Sequence, residues 1–126
     1  MSKQRDHRRA VGRWGEESAA RFLQEKGYQI LEQNFRSQRG EIDLVVRDAD
    51  TLVFVEVKAK QRDGFGEPED RVDQAKQAQI GRVAAAYLQQ NELDDVDCRF
   101  DVVSVTRTKD DIVIHHIEDA FWLQAE

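Results

Sequence analysis

Gly40-Glu41-Ile42-Asp43 is followed by Leu44-Val45-Val46-Arg47-Asp48-Ala49-Asp50-Thr51-Leu52-Val53-Phe54-Val55 and then Glu56-Val57-Lys58, and this stretch decides the fold. Residues 42–47 and 52–58 are rich in β-branched and aromatic side chains, as strands are. Asp48-Ala49-Asp50-Thr51 between them has turn chemistry. The stretch is therefore a hairpin with an apolar body that carries Glu41, Asp43, Glu56 and Lys58. Buried charge is costly unless it is paired or bound to a metal. With Ala49-Asp50 as the turn centre, Asp43 falls opposite Glu56. Like charges facing each other across a ladder repel. A bound Mg²⁺ or Mn²⁺ would reverse that sign, because hard cations take carboxylate oxygens. Glu56 and Lys58 are two apart and share a strand face, which sets Lys58 beside the cation, within reach of a phosphate or a water. A one-residue bulge would instead place Asp43 and Glu56 on opposite faces.

Upstream, residues 9–26 have helical periodicity. Gly15, Ser18, Ala19, Phe22 and Leu23 form one face, and Gly27 is the stop. At 100° per residue Glu16 lies at the edge of this stripe, whereas Glu17 points to solvent, so only Glu16 can reach a site on the sheet. The alternative for Glu16 is a first-turn acid that favours the helix dipole. Residues 1–8 are read as a loose basic tail or phosphate-touching arm, and residues 9–126 as one domain. Residues 28–35 are a first strand, and 36–40 a turn in which Arg39 is either a solvated charge or a phosphate contact.

Downstream, residues 59–68 contain two glycines and the one proline of the chain and mark a loop. Its basic start, Lys60 included, lies close to the proposed site and could contact substrate. Residues 69–91 form a second helix with the stripe Ile80, Val83, Ala84, Tyr87 and Leu88. Traced toward the N-terminus, this stripe runs into Val72, Lys76 and Gln77, so polar side chains replace apolar ones where the helix would overhang the site. Lys76 could equally lay its stem over apolar surface. Residues 99–105 and 112–117 are two further strands. His115 and His116 are adjacent in the last of them and point to opposite faces, a structural pair rather than a shared metal site. Ala120-Phe121-Trp122-Leu123 is a short apolar tail that docks on the body. The order αβββαββ gives an antiparallel meander, a helical crossover to a parallel strand and a final strand: a mixed five-stranded sheet flanked by helices.

Composition sets bounds on this reading. The chain has 126 residues, enough for one domain with a proper core, and is 40% hydrophobic and 35% charged. One cysteine, Cys98, excludes an internal disulfide framework. No run approaches a membrane span, and the N-terminus lacks the apolar core of a secretory signal, so a cytoplasmic location is expected. The net charge of −6 argues against a general nucleic-acid binder. That total hides an uneven spread. Lys3, Arg5, Arg8, Arg9 and Arg13 make the start basic, whereas residues 92–126 are acidic.

Asp43…Glu56-Val57-Lys58, in this order of elements, resembles the PD-(D/E)xK nuclease superfamily. The longer string resembles the bacterial UPF0102 (YraN-like) family, itself similar to archaeal Holliday junction resolvases. That string comprises Gly15-Glu16, Gly27-Tyr28, Asn34, Gly40-Glu41-Ile42-Asp43-Leu44, Phe54-Val55-Glu56-Val57-Lys58, Phe65-Gly66, Lys76-Gln77, Ala85-Ala86-Tyr87-Leu88, Arg99-Phe100-Asp101-Val102-Val103 and Ala120-Phe121. It spans nearly all of the chain after residue 11. The resemblance implies a restriction-endonuclease-like α/β fold. It also implies that Asp43, Glu56 and the Val57 carbonyl hold Mg²⁺ or Mn²⁺, that Lys58 is the catalytic lysine, and that Glu16 is the first-helix glutamate of the resolvases. Ile42 stands where the wider superfamily has proline. The expected function is metal-dependent hydrolysis of DNA, at branched, Holliday junction-like structures, with Arg39, Lys60, Lys76 and Gln77 as nucleic-acid contacts. A resolvase cuts two strands symmetrically, so a homodimer would suit it. The alternatives are a nuclease fold that grips nucleic acid without cutting, or an adaptor that uses Phe121 and Trp122.

Overall fold

The computed structural model describes residues 3–61 and 72–122, of which 3–11 are described as backbone alone. The element order is α1 (Lys3–Glu25), β1 (Gln29–Ser37), β2 (Gly40–Asp48), β3 (Thr51–Gln61), α2 (Gln74–Gln90), β4 (Cys98–Arg107) and β5 (Ile112–Ile117). The strands form one sheet in the order β1-β2-β3-β4-β5. Pairing is antiparallel except between β3 and β4, which are parallel across α2. This is the mixed five-stranded α/β architecture expected from the sequence, and it is consistent with a restriction-endonuclease-like fold.

Each face of the sheet carries one helix and one core. Against α1, Ala19 and Leu23 pack on Leu44, Val46, Val53, Val55, Val103 and Val105. Against α2, Ile80, Val83, Ala84 and Tyr87 pack on Phe35, Ile42, Val45, Phe54 and Val102. β2 and β3 are buried on both faces, which is why their sequences are nearly continuous apolar runs. Leu23 and Phe54 are almost fully buried, each burial worth roughly 1.5–3 kcal/mol. Helix α1 stops as the sequence predicts. Gly27 takes φ 98°, and the Tyr28 N–H donates to the Leu23 carbonyl, a left-handed helix stop.

Four boundaries differ from the sequence reading. Helix α1 begins at Lys3, so residues 3–8 are helical backbone, ahead of the start at residue 9 expected from the periodicity. Their Lys, Arg and Gln content is compatible with a helix. Strand β1 extends through Ser37, leaving a tight turn at Gln38-Arg39. Strand β3 continues to Gln61, because its later residues pair with β4; residues 59–61 are strand rather than loop. Helix α2 starts at Gln74, capped by Asp73, whose side chain accepts from the Lys76 N–H. The rest of the expected loop, with Phe65-Gly66, lies outside the described residues, as do residues 69–71 and Leu123. Phe121 docks as expected, stacking on Phe100 at 5.2 Å, but Trp122 is 76% exposed.

Candidate metal centre

The site lies where two neighbouring strands part. The hairpin has the expected centre, with Asp48 opposite Thr51, and its register runs to Leu44 opposite Val55. Beyond that pair, β2 keeps pairing with β1, through Phe35–Ile42 and Arg36–Glu41, and β3 keeps pairing with β4, from Glu56–Val102 to Gln61–Arg107. Continued pairing would set Val57 against Ile42. Instead Asp43 Oδ2 accepts the Val57 N–H at 2.8 Å. A side-chain oxygen thus takes the place of a backbone acceptor and props the fork open. Strand β2 also turns over here. Leu44 packs in the α1 layer and Val45 in the α2 layer, yet Ile42 packs in the α2 layer as well. In the register of β1, the residue that faces Asp43 is Asn34, which has φ 55°, a conformation Asn tolerates better than most residues.

Asp43 and Glu56 meet in the fork and hydrogen-bond each other. The Glu56 side chain is only 16% exposed. Burial, then repulsion from Asp43, pushes the Glu56 carboxyl up to about 7, while Lys76 and Lys58 pull it back. Burial also raises Asp43, against the Val57 N–H, and Glu41 adds to the rise. Glu16 reaches the same neighbourhood from α1. Its carboxyl is pushed up to about 7 by burial, then by Asp43 and Glu41; a hydrogen bond with Asn34 and the charge of Arg36 oppose this. Glu16 Oε1 is buried with no hydrogen-bond partner. Helix α1 can sit this low because residue 15 is glycine: a Cβ there would lie 2.3 Å from the Ala59 Cβ.

Mutually repelling, half-desolvated carboxylates are a donor set suited to a hard divalent cation. Asp43 and Glu56 fit as a pair. In an extended strand a residue's N–H and C=O point to the same edge, so the Val57 carbonyl lies on the fork side of β3. Among the described residues, no three His, Cys, Asp or Glu side chains converge to hold an ion. Glu16 is thus a neighbour of the pair with one unsatisfied oxygen, not a third member of a preformed cluster.

The basic residues separate by position. Lys58 is half-buried, with its charge acting on Glu56. Lys76 Nζ reaches over from α2 to within 3.9 Å of Glu56 Oε2, as the overhang of the second helix predicts. Lys60 follows two residues after Lys58 on the same strand. Gln77 does not extend toward the fork: its Nε2 donates to the Val72 carbonyl at 2.7 Å and ties down the chain entering α2. Arg39 is exposed at the β1–β2 turn, where its carbonyl accepts from Gln79 Nε2 at 3.0 Å. The sequence reading carried Glu41 in the hairpin without a role, and it missed Asn34 as the partner of Glu16. Asn within a strand is the signal that could have flagged it.

A second polar cluster lies around the start of β4. Asp101 is fully buried, which by itself would raise its carboxyl. Hydrogen bonds from His116 and Arg99 and from the Asp119 N–H reverse this and hold it below the usual range. His116 Nε2 lies 2.8 Å from Asp101 Oδ2, and Arg99 also bonds Asp48 and Tyr28. His115 is exposed. Every carboxylate oxygen of Asp101 is used, so this cluster ties β4, β5 and the following turn together.

No helix among the described residues is long and apolar enough to cross a membrane. The model of the uncharacterised protein family UPF0102 matches residues 15–105. A UPF0102 protein of Syntrophus aciditrophicus is 47% identical over 113 residues, covering 90% of this chain and 89% of the relative. One from Chlorobium chlorochromatii is 47% identical over 120 residues, covering 90% and 92%. One from Geobacter sulfurreducens is 43% identical over 118 residues, covering 93% and 92%. The span matched by the family model takes in the fork, the part of α1 that carries Glu16, all of α2 and the strands that carry Asp43 and Glu56, and the chain belongs to the UPF0102 family.

Proposed function

We propose that the protein is a metal-dependent nuclease that hydrolyses phosphodiester bonds of DNA. The observation that carries this is the contact between two desolvated carboxylates, Asp43 and Glu56, in a fork beside Lys58 and Lys76. Mg²⁺ or Mn²⁺ held by Asp43 and Glu56, with the Val57 carbonyl, would polarise the scissile phosphate and lower the pKa of a bound water. Lys58, on the same strand face as Glu56, orients the attacking water or stabilises charge developing on the phosphate. Glu16 lends its unsatisfied oxygen to the edge of that site, oriented by Asn34. Lys60, Lys76 and Arg39 receive flanking phosphates. Branched DNA is the substrate we favour, by the likeness to resolvases, and a homodimer would present two such sites.

A second reading, binding without cleavage, is favoured by the lack of a preformed three-acid cluster among the described residues. One experiment separates the two. A labelled panel of four-way junction, flap, single strand and duplex is incubated with Mg²⁺ or Mn²⁺, beside Asp43→Ala and Lys58→Ala. Metal-dependent cutting lost in both variants supports the nuclease. Junction binding in EDTA with no cutting in either metal supports the second reading, and cutting that survives Asp43→Ala refutes the first.

A further inference from the structure

The Lys76 contact with Glu56 points to a role for this lysine that differs from holding substrate. Lys76 Nζ is 3.9 Å from Glu56 Oε2, and its charge acts on both Asp43 and Glu56. The two ends of the contact differ in freedom. The Glu56 side chain is 16% exposed, whereas that of Lys76 is 41% exposed, on a flexible stem in the first turn of α2. Asp73 caps that turn through the Lys76 N–H, so the backbone is fixed while the ammonium can swing. A cation held between Asp43 and Glu56 would compete with this ammonium for the Glu56 carboxylate.

We propose that Lys76 is a built-in placeholder for the divalent cation: its ammonium neutralises the Asp43–Glu56 pair in the empty site and is displaced when the ion enters. This rests on the ion reading above and adds a regulatory element to it. The ammonium lowers ion affinity by competition, protects the fork from its own repulsion, and is released toward the phosphate-facing rim as the ion arrives. Lys58 cannot play the same part. It is rooted in β3 two residues from Glu56, whereas Lys76 comes from a different element and can leave without disturbing the sheet.

The test is Mn²⁺ binding by isothermal titration at neutral pH, on the full chain without nucleic acid, for wild type, Lys76→Met and Lys60→Met. Lys60→Met removes a positive charge further along β3 and reports the general electrostatic effect. Circular dichroism confirms that each variant is folded. The placeholder predicts that Lys76→Met binds Mn²⁺ about three- to tenfold more tightly than wild type, and Lys60→Met by less than about twofold. It also predicts that the Lys76 side-chain amine resonance shifts during a Mg²⁺ titration of wild type. Wild-type binding with Lys76→Met unchanged or weaker overturns the placeholder and leaves the ion reading standing. A wild type that binds no Mn²⁺ overturns both.

Discussion

Replacing Glu56 by Gln should make the metal-free protein more stable at alkaline pH, although it removes a site residue. The Glu56 carboxyl is raised from 4.5 to about 7 in the folded chain. Folded protein therefore holds a proton between these values that the unfolded chain has released, and stability falls as the pH rises through that window. At about 1.36 kcal/mol per pH unit the full shift corresponds to about 3 kcal/mol. Part of it belongs to the proton shared with Asp43, and Gln also forfeits the contact with the half-exposed Lys76, worth less than about 1 kcal/mol. The net expectation is a gain of about 2 kcal/mol for Glu56→Gln at pH 8, shrinking to nothing below pH 4.5. Urea denaturation in EDTA at pH 4 and pH 8, followed by far-UV circular dichroism, measures it. A midpoint for Glu56→Gln equal to or below wild type at pH 8 would refute the reasoning, because the buried charge would then carry no cost.

Two further substitutions probe the scaffold. Gly15→Ala places a methyl 2.3 Å from the Ala59 Cβ and should cost about 1–3 kcal/mol in urea, with α1 lifted off β3; an unchanged midpoint would mean that the contact relaxes freely. Asp101→Ala leaves Arg99 and His116 without their shared acceptor and should cost about 3–5 kcal/mol. A loss under about 1 kcal/mol would show that the network is not a structural tie.

The hairpin register was legible because two features agree on its parity: a two-residue turn at Ala49-Asp50, and apolar runs that must stay in register with both cores. The reach of Glu16 was legible for the same reason, since a helical stripe fixes which of two adjacent acids can turn inward. The start of α2 was not, because Asp70 and Asp73 are both acceptable caps and only packing decides between them. The bond of Gln77 was not legible, because a helix-face argument places a side chain but not the backbone carbonyl it can meet; here that carbonyl belongs to Val72, just ahead of the helix. The Arg99–Asp101–His116 network was hidden because each residue looks like an ordinary alternating strand position. Only the pairing of β4 with β5 and the approach of Tyr28 bring them together. The parting of β2 from β3 was equally invisible, since Asn34 opposite and Ile42 beneath break the alternation without any glycine or proline to announce it.

The bond from the Val57 N–H to Asp43 has a consequence for how the site can be watched. An amide proton held by a carboxylate has a resonance that follows the charge of that carboxylate, and Val57 is the residue whose N–H is anchored to Asp43 rather than to a neighbouring strand. In a proton–nitrogen spectrum the Val57 signal is thus a spectroscopic gauge already built into the chain. It would move with the protonation of the acid pair and with the arrival of a cation, while amides such as that of Leu52, bonded to the Asp97 carbonyl, would stay still. No dye, substrate or turnover is needed to read it.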